Sequence, residues 1–189
     1  MAIRRRDGRC LPVILPPADP GVAAATMTSD LNRYWAVRER EQAGWGRQFI
    51  DDLHTIVTIA ARTSGGEVHP YFIKLGAEYY DLFPPTVLFV APTEGWPRAR
   101  SGSPWWPKFS QCPSWFGLHD SYRLEKEGTA VFDGQLVCFS MSADYYLDHN
   151  PTPSQRWQQG RHTVAATLSR LEEVLSPPYY AGPDAPRPV

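Results

Sequence analysis

The sequence has few of the features that mark specialised classes of protein. Its 189 residues carry a net charge of −1 and one short basic run, Arg4–Arg6, so the charge predicts no binding to nucleic acid or to a membrane surface. No apolar run is long enough for a membrane span or a signal peptide, which predicts a cytoplasmic protein. The three cysteines include no CxxC pair, which argues against a disulfide framework and a zinc finger.

Proline and aromatic residues are abundant instead. The chain has 19 Pro and 7 Trp, and residues 91–128 are rich in both, which predicts an irregular loop packed against the body of the protein. With 42% hydrophobic residues, the chain can build the core of one domain. We predict an extended N-terminal arm over 1–27, a single domain over 28–178 and a mobile tail over 179–189.

Hydrophobic periodicity predicts a helix, an antiparallel meander and a second helix. The cap residues Thr28–Asp30 predict the start of the first helix. Period-two alternation over 53–76, with a glycine turn in the middle, predicts a hairpin, and residues 87–90 predict a third strand. An apolar stripe over 163–175, followed by two prolines, predicts the last helix. The fold class expected from this order is α+β.

Three parts of the sequence resemble the ubiquitin-conjugating enzymes. Residues 71–90, YFIKLGAEYYDLFPPTVLFV, resemble the family's central meander, in which an aromatic strand leads to a proline turn and a Val-x-Phe strand. Residues 133–139, DGQLVCF, resemble the family's catalytic segment, and Trp157 resembles the tryptophan before its next helix. The matching residues of the meander are Tyr71, Phe72, Tyr80, Pro84, Pro85, Val87 and Phe89.

The resemblance covers residues 28–178 and implies a UBC-like fold. Its parts would be an N-terminal helix, an antiparallel meander sheet, a long cysteine-bearing segment over 131–141 and a C-terminal helix. The sequence departs from the family by lacking the His-Pro-Asn tripeptide before the cysteine, where the nearest polar residues are His119 and Asp120. The segments on both sides of the cysteine are also longer, which is similar to divergent bacterial relatives.

The resemblance implies an acyltransferase that needs no cofactor. Cys138 would accept a ubiquitin-like protein as a thioester from an ATP-dependent activating enzyme and pass it to a target amine, because a thiolate is a strong nucleophile. His119, His149 and Asn150 are candidates for stabilising the developing oxyanion, as is Tyr145. Asp148, or alternatively Asp144, is a candidate for orienting or deprotonating the incoming lysine.

Several alternatives remain open from the sequence. Cys138 lies between Val137 and Phe139 and is alternatively a buried core thiol, in which case Cys112 or Cys10 would be the reactive one. The chain is alternatively an inactive module that binds a ubiquitin-like protein, or a thiol hydrolase that removes one. A metal site is not expected, because His119, His149, His162 and Cys138 lack the close spacing of helical ligands. His162 is more simply explained as part of a helix N-terminus.

Overall fold

Two α-helices and eight β-strands form the regular structure of residues 15–38, 44–126 and 128–187, which are those that the computed structural model describes. In chain order they are α1 (Pro20–Arg38), β1 (Gly46–Phe49), β2 (His54–Arg62), β3 (Val68–Gly76), β4 (Thr86–Val90), β5 (Pro107–Phe109), β6 (Gly117–Lys126), β7 (Thr129–Cys138), a 3₁₀ helix (Ala143–Leu147), α2 (Val164–Val174) and β8 (Tyr180–Pro183). The predicted α+β class is confirmed. In this part of the chain, no helix combines the length and the apolar character that crossing a membrane requires.

The central sheet is an antiparallel meander in the order β1-β2-β3-β4. Its period-two alternation buries Val57, Ile73 and Phe89 completely, in one core with both helices. The predicted hairpin is confirmed, because β2 pairs with β3 over its whole length. The sequence prediction missed β1, since its four residues, GRQF, have no apolar alternation.

The N-terminal helix begins earlier than predicted. Asp19 accepts a hydrogen bond from the Val22 N–H at 3.0 Å, and Pro20 occupies the first helical position, where its missing N–H costs nothing. Ala23 and Met27 are buried in the core. The prediction of an extended arm over 1–27 is therefore wrong for residues 20–27, and the domain starts before residue 28. The part of the arm over 1–14, with Cys10, lies outside the described residues.

The C-terminal segment divides into a confirmed helix and a strand that the sequence did not predict. Thr163 caps α2 by accepting the Ala165 N–H, and the helix ends just before the two prolines. Beyond them, β8 pairs with β5, and Tyr180 is buried with its hydroxyl 3.0 Å from that of Tyr71. The prediction of a mobile tail over 179–189 is therefore wrong for this strand, because an aromatic side chain anchors it. Residues 188–189 lie outside the described residues.

The proline- and tryptophan-rich stretch is packed as predicted, but it is more regular than expected. Trp106 is buried, and Trp105 and Trp115 are half-buried against the core. The stretch also contains β5 and the whole of β6, which we did not predict. β6 pairs with β7 in a long hairpin, so the cysteine-bearing segment is a strand with a partner.

A buried glutamine connects this hairpin to the meander. The Gln135 side chain of β7 accepts the Phe89 N–H at 2.7 Å and donates to the carbonyls of Phe89, at 3.1 Å, and Ala99, at 3.0 Å. Gln135 is 1% exposed. Its carboxamide therefore adds to the hydrogen bonding along the outer edge of β4, much as a peptide group of another strand would, beside the bridge that Val90 forms with Arg98. This connection holds β7, and the cysteine at its end, against the sheet.

Candidate functional site

Cys138 is the last residue of β7 and lies opposite Gly117, the first residue of β6. Residues directly opposite each other in an antiparallel pair project from the same face, so Cys138 and Gly117 share a face. Alternation along β6 puts His119, two residues after Gly117, on that face as well. A Cβ added to Gly117 would lie 3.2 Å from His119 Nε2 and 3.5 Å from the Cys138 Cβ. The missing side chain of Gly117 therefore leaves a space that the His119 imidazole and Cys138 border from two sides.

The chain after Cys138 turns back over this face. The Ala143 N–H donates to the Pro85 carbonyl at 3.0 Å, which attaches the 3₁₀ helix to the turn before β4. Tyr145 and His149 stack with their ring centroids 4.4 Å apart and nearly parallel. Asp148, which directly precedes His149 in the chain, accepts a short hydrogen bond from the Tyr122 hydroxyl of β6. Tyr122 of the hairpin, with Tyr145 and Asp148 of the returning segment, thus lies within electrostatic range of the thiol.

The charges around the thiol favour its protonated form. Burial raises the pKa of Cys138, and the nearby Asp148 carboxylate raises it further, because both disfavour a thiolate. The hydrogen bond to Asp148, with partial burial, raises the pKa of Tyr122 to about 12. The Tyr122 hydroxyl therefore remains a donor across the physiological range. At neutral pH, Cys138 is therefore a thiol, and the negative charge of Asp148 is part of its electrostatic environment.

Asp144 is the second acidic candidate and lies in a different environment. Burial raises its pKa to about 6, the Glu78 carboxylate contributes to the rise, and Arg98 opposes it. The charges that act on its carboxyl group are therefore those of Glu78 and Arg98. Since this environment accounts for the pKa of Asp144, the geometry favours Asp148 for chemistry at the thiol.

This environment predicts that stability depends on pH. Because the pKa of Asp144 is higher in the folded protein than in the unfolded chain, the folded state binds more protons between about pH 4 and pH 6, and the contribution of Asp144 to stability falls as pH rises. Asp144→Asn removes this dependence. The free energy of unfolding of the variant, relative to the native protein, is expected to rise by on the order of 2 kcal/mol from pH 4 to pH 7.

Urea unfolding at several pH values measures the effect. Asp52→Asn, at an exposed carboxylate, is the control and is expected to show no such trend. If the free energies of unfolding of Asp144→Asn and the native protein differed by the same amount at every pH between about 4 and 7, the burial argument would be contradicted.

The other predicted site residues lie outside this cluster or already have hydrogen-bond partners. Asn150 is exposed, and its side-chain oxygen accepts a hydrogen bond from Arg156 at 2.7 Å. The His162 Nδ1 accepts the Gln158 N–H at 3.0 Å, while Thr163 caps the helix. Cys112 is exposed in the tryptophan-rich stretch. Among the described residues, no group of three or more His, Cys, Asp or Glu side chains could hold a metal ion.

Sequence reasoning missed Tyr122. No motif marks it, because it reaches the site only through an irregularity in the pairing of β6 with β7 and meets Asp148, which is 26 residues away in the chain. Asp120, one of the nearest polar residues to the missing tripeptide, is instead engaged by Ser101 at 2.9 Å and by Arg100 at 3.6 Å. His119 therefore remains the polar residue of this pair that borders Cys138.

Two aromatic residues, Tyr80 and Trp157, connect the turn before β4 to both helices. The Tyr80 hydroxyl donates to Asp30 of α1 at 2.6 Å and accepts the Val164 N–H of α2 at 2.9 Å. The Trp157 Nε1 donates to the Asp81 carbonyl at 2.8 Å. These bonds join the turn before β4 to the segment that leads into α2.

Comparison with known proteins identifies no relative: no protein-family model matches the chain, and no curated protein is significantly similar to it.

Proposed function

We propose that the protein is a conjugating enzyme for a ubiquitin-like protein, with Cys138 as the carrier. The observation that carries this proposal is that the three stretches of the sequence resemblance lie together. The Trp157 indole donates to the Asp81 carbonyl, and the segment after Cys138 is bonded to the Pro85 carbonyl. Stretches far apart in the chain therefore contact the same turn before β4, and one of them carries the half-buried thiol of Cys138, which favours a common role in the family's UBC-like arrangement.

The first step would load the thiol. Cys138 attacks the carbonyl carbon of the thioester held by an ATP-dependent activating enzyme, and the thiol of that enzyme leaves. Because the pKa of Cys138 is raised, its proton has to be removed during the attack, and the Asp148 carboxylate is the nearby acceptor. His119, which borders the thiol across the Gly117 space, can donate to the oxyanion that develops on the carbonyl.

The experiment that tests this proposal is a trapping experiment with Cys138→Ser, because a serine ester is more stable than a thioester. The variant, purified from its own source cells, is expected to carry a protein adduct at position 138 that alkali removes. Intact and peptide mass spectrometry would detect the adduct and identify the modifier. Cys112→Ser, at an exposed cysteine outside the site, is the matched control and is expected to carry none.

The proposal fails if Cys138→Ser carries no adduct and the native protein carries no reducible thioester. An inactive module that binds a ubiquitin-like protein would then be the better interpretation. The raised pKa of Cys138 and the absence of the His-Pro-Asn tripeptide favour that second candidate.

A further inference from the structure

Tyr122 owes its position to a bulge in β6. His119 pairs with Leu136, but the next pair joins Tyr122 to Gly134, so β6 advances three residues while β7 advances two. Regular pairing would give the place of Tyr122 to Ser121 and send Tyr122 to the opposite face. The extra residue rotates Tyr122 onto the face of Cys138, as bulges near functional sites commonly do for a side chain.

The Tyr122 hydroxyl then determines where Asp148 lies. It is the only hydrogen-bond partner that residues 15–38, 44–126 and 128–187 offer to the Asp148 side chain. Asp148 is exposed, and a carboxylate in that position without a partner would turn toward water. On its other side, the Tyr122 ring packs 5.5 Å from that of His119 and 6.3 Å from that of Phe132, which limits its movement.

We propose that Tyr122 is a positioning residue that holds the Asp148 carboxylate beside Cys138 so that this carboxylate accepts a proton from the incoming amine. The role in amine transfer rests on the proposed function. The positioning of Asp148 by Tyr122 does not rest on that function, because it involves only the side chains of Tyr122, Asp148 and Cys138.

The step balances with groups that the site and the substrates supply. Asp148 takes one proton from the substrate ammonium group, and the resulting amine attacks the thioester carbonyl carbon. The C–N bond forms, and the C–S bond breaks with its electron pair going to the Cys138 sulfur. The sulfur takes the second proton that nitrogen loses as the neutral amide forms, which its raised pKa favours.

The first measurement needs no modifier. The rate of Cys138 alkylation by iodoacetamide, followed against pH by peptide mass spectrometry, reports the pKa of this thiol. Asp148→Asn removes the nearby negative charge, so its alkylation midpoint is expected at lower pH than in the native protein. Tyr122→Phe is expected to shift the midpoint in the same direction, because Asp148 is released. In the double variant, the second substitution is expected to add nothing to the first.

The second measurement follows transfer to an amine with a small probe. The 2-mercaptoethanesulfonate thioester of N-acetylglycine acylates accessible thiols, and loss of the acyl group from Cys138 to ethylamine is read by mass spectrometry. Tyr122→Phe is expected to slow this loss about 10-fold at neutral pH, and Asp148→Asn at least as much, since general-base catalysis contributes 10²-fold or more. Phe132→Leu, which disturbs the packing but not the hydroxyl, is the matched control and is expected to behave as the native protein.

The two measurements separate the proposals. If the probe fails to acylate native Cys138, the proposed function is contradicted. The alkylation midpoints still show in that case whether Tyr122 positions Asp148. The positioning role is overturned if Asp148→Asn changes both readouts and Tyr122→Phe changes neither, or if Phe132→Leu has the same effect as Tyr122→Phe. Asp148→Asn is an exposed substitution, and an unchanged alkylation midpoint in this variant would also overturn the proposal, because the carboxylate would then not lie beside Cys138.

Discussion

Replacing Gln135 with leucine is expected to lower the free energy of unfolding by about 3 kcal/mol. Leucine has a similar size but no polar group, so the Phe89 N–H and the Ala99 carbonyl lose their partner in a place where Gln135 itself is 1% exposed. Each unsatisfied buried group costs about 1–3 kcal/mol. The Phe89 carbonyl keeps one hydrogen bond in the variant, because it also accepts the Ala99 N–H at 2.9 Å.

Urea denaturation of the native protein and of Gln135→Leu measures this loss. Gln48→Leu, at an exposed position of β1, is the matched control and is expected to change stability by less than about 0.5 kcal/mol. A Gln135→Leu protein as stable as the control would show that the hairpin does not depend on its link to β4. Because Gln135 lies three residues before Cys138, we also expect the variant to increase the alkylation rate of that thiol.

The parts of the fold that the sequence predicts are those in which one face of an element is buried along its whole length. β2 and β3 alternate clearly, and α2 has a cap at Thr163, an apolar stripe and two prolines after it. Such signals are local, so they can be read without knowing the partner of the element.

The parts that the sequence does not predict depend on partners far away in the chain. β1 and β8 have only four residues each, and pairing and the anchoring of Tyr180 specify them rather than any pattern of their own. The start of α1 was missed for a different reason. Thr28–Asp30 has the composition of a helix cap, although Asp19, nine residues before Thr28, does the capping, and Pro20 follows it.

The same distinction applies to the site. Cys138 was selected through the resemblance, and His119 through its place before the cysteine in the chain. Their approach across Gly117 follows from the register of β6 with β7, which no sequence pattern specifies. The position of Tyr122 is still harder to predict from the sequence, because one extra residue in β6 decides which face of the strand it occupies.

Cys138→Ala is expected to abolish transfer of the modifier while leaving its binding intact. The substitution removes one sulfur atom from a half-buried position at a strand end, so the surrounding surface is retained. No other group of the site can form a thioester, and the remaining cysteine of the described residues, Cys112, is exposed in a separate loop. A conjugation assay with the modifier found by trapping measures transfer, and titration of the same protein measures binding.

The comparison with Cys112→Ala decides between an enzyme and a binding module. We expect Cys112→Ala to transfer the modifier as the native protein does, and Cys138→Ala to show neither a reducible thioester nor a product. If Cys138→Ala and the native protein give the same product, the carrier assignment is wrong. If neither gives a product but both bind the modifier equally, Cys138 is a core thiol in a module that has kept the recognition surface and lost the chemistry. The ATP dependence of the native reaction separates a conjugating enzyme from a thiol hydrolase, because hydrolysis of an existing bond needs no activation.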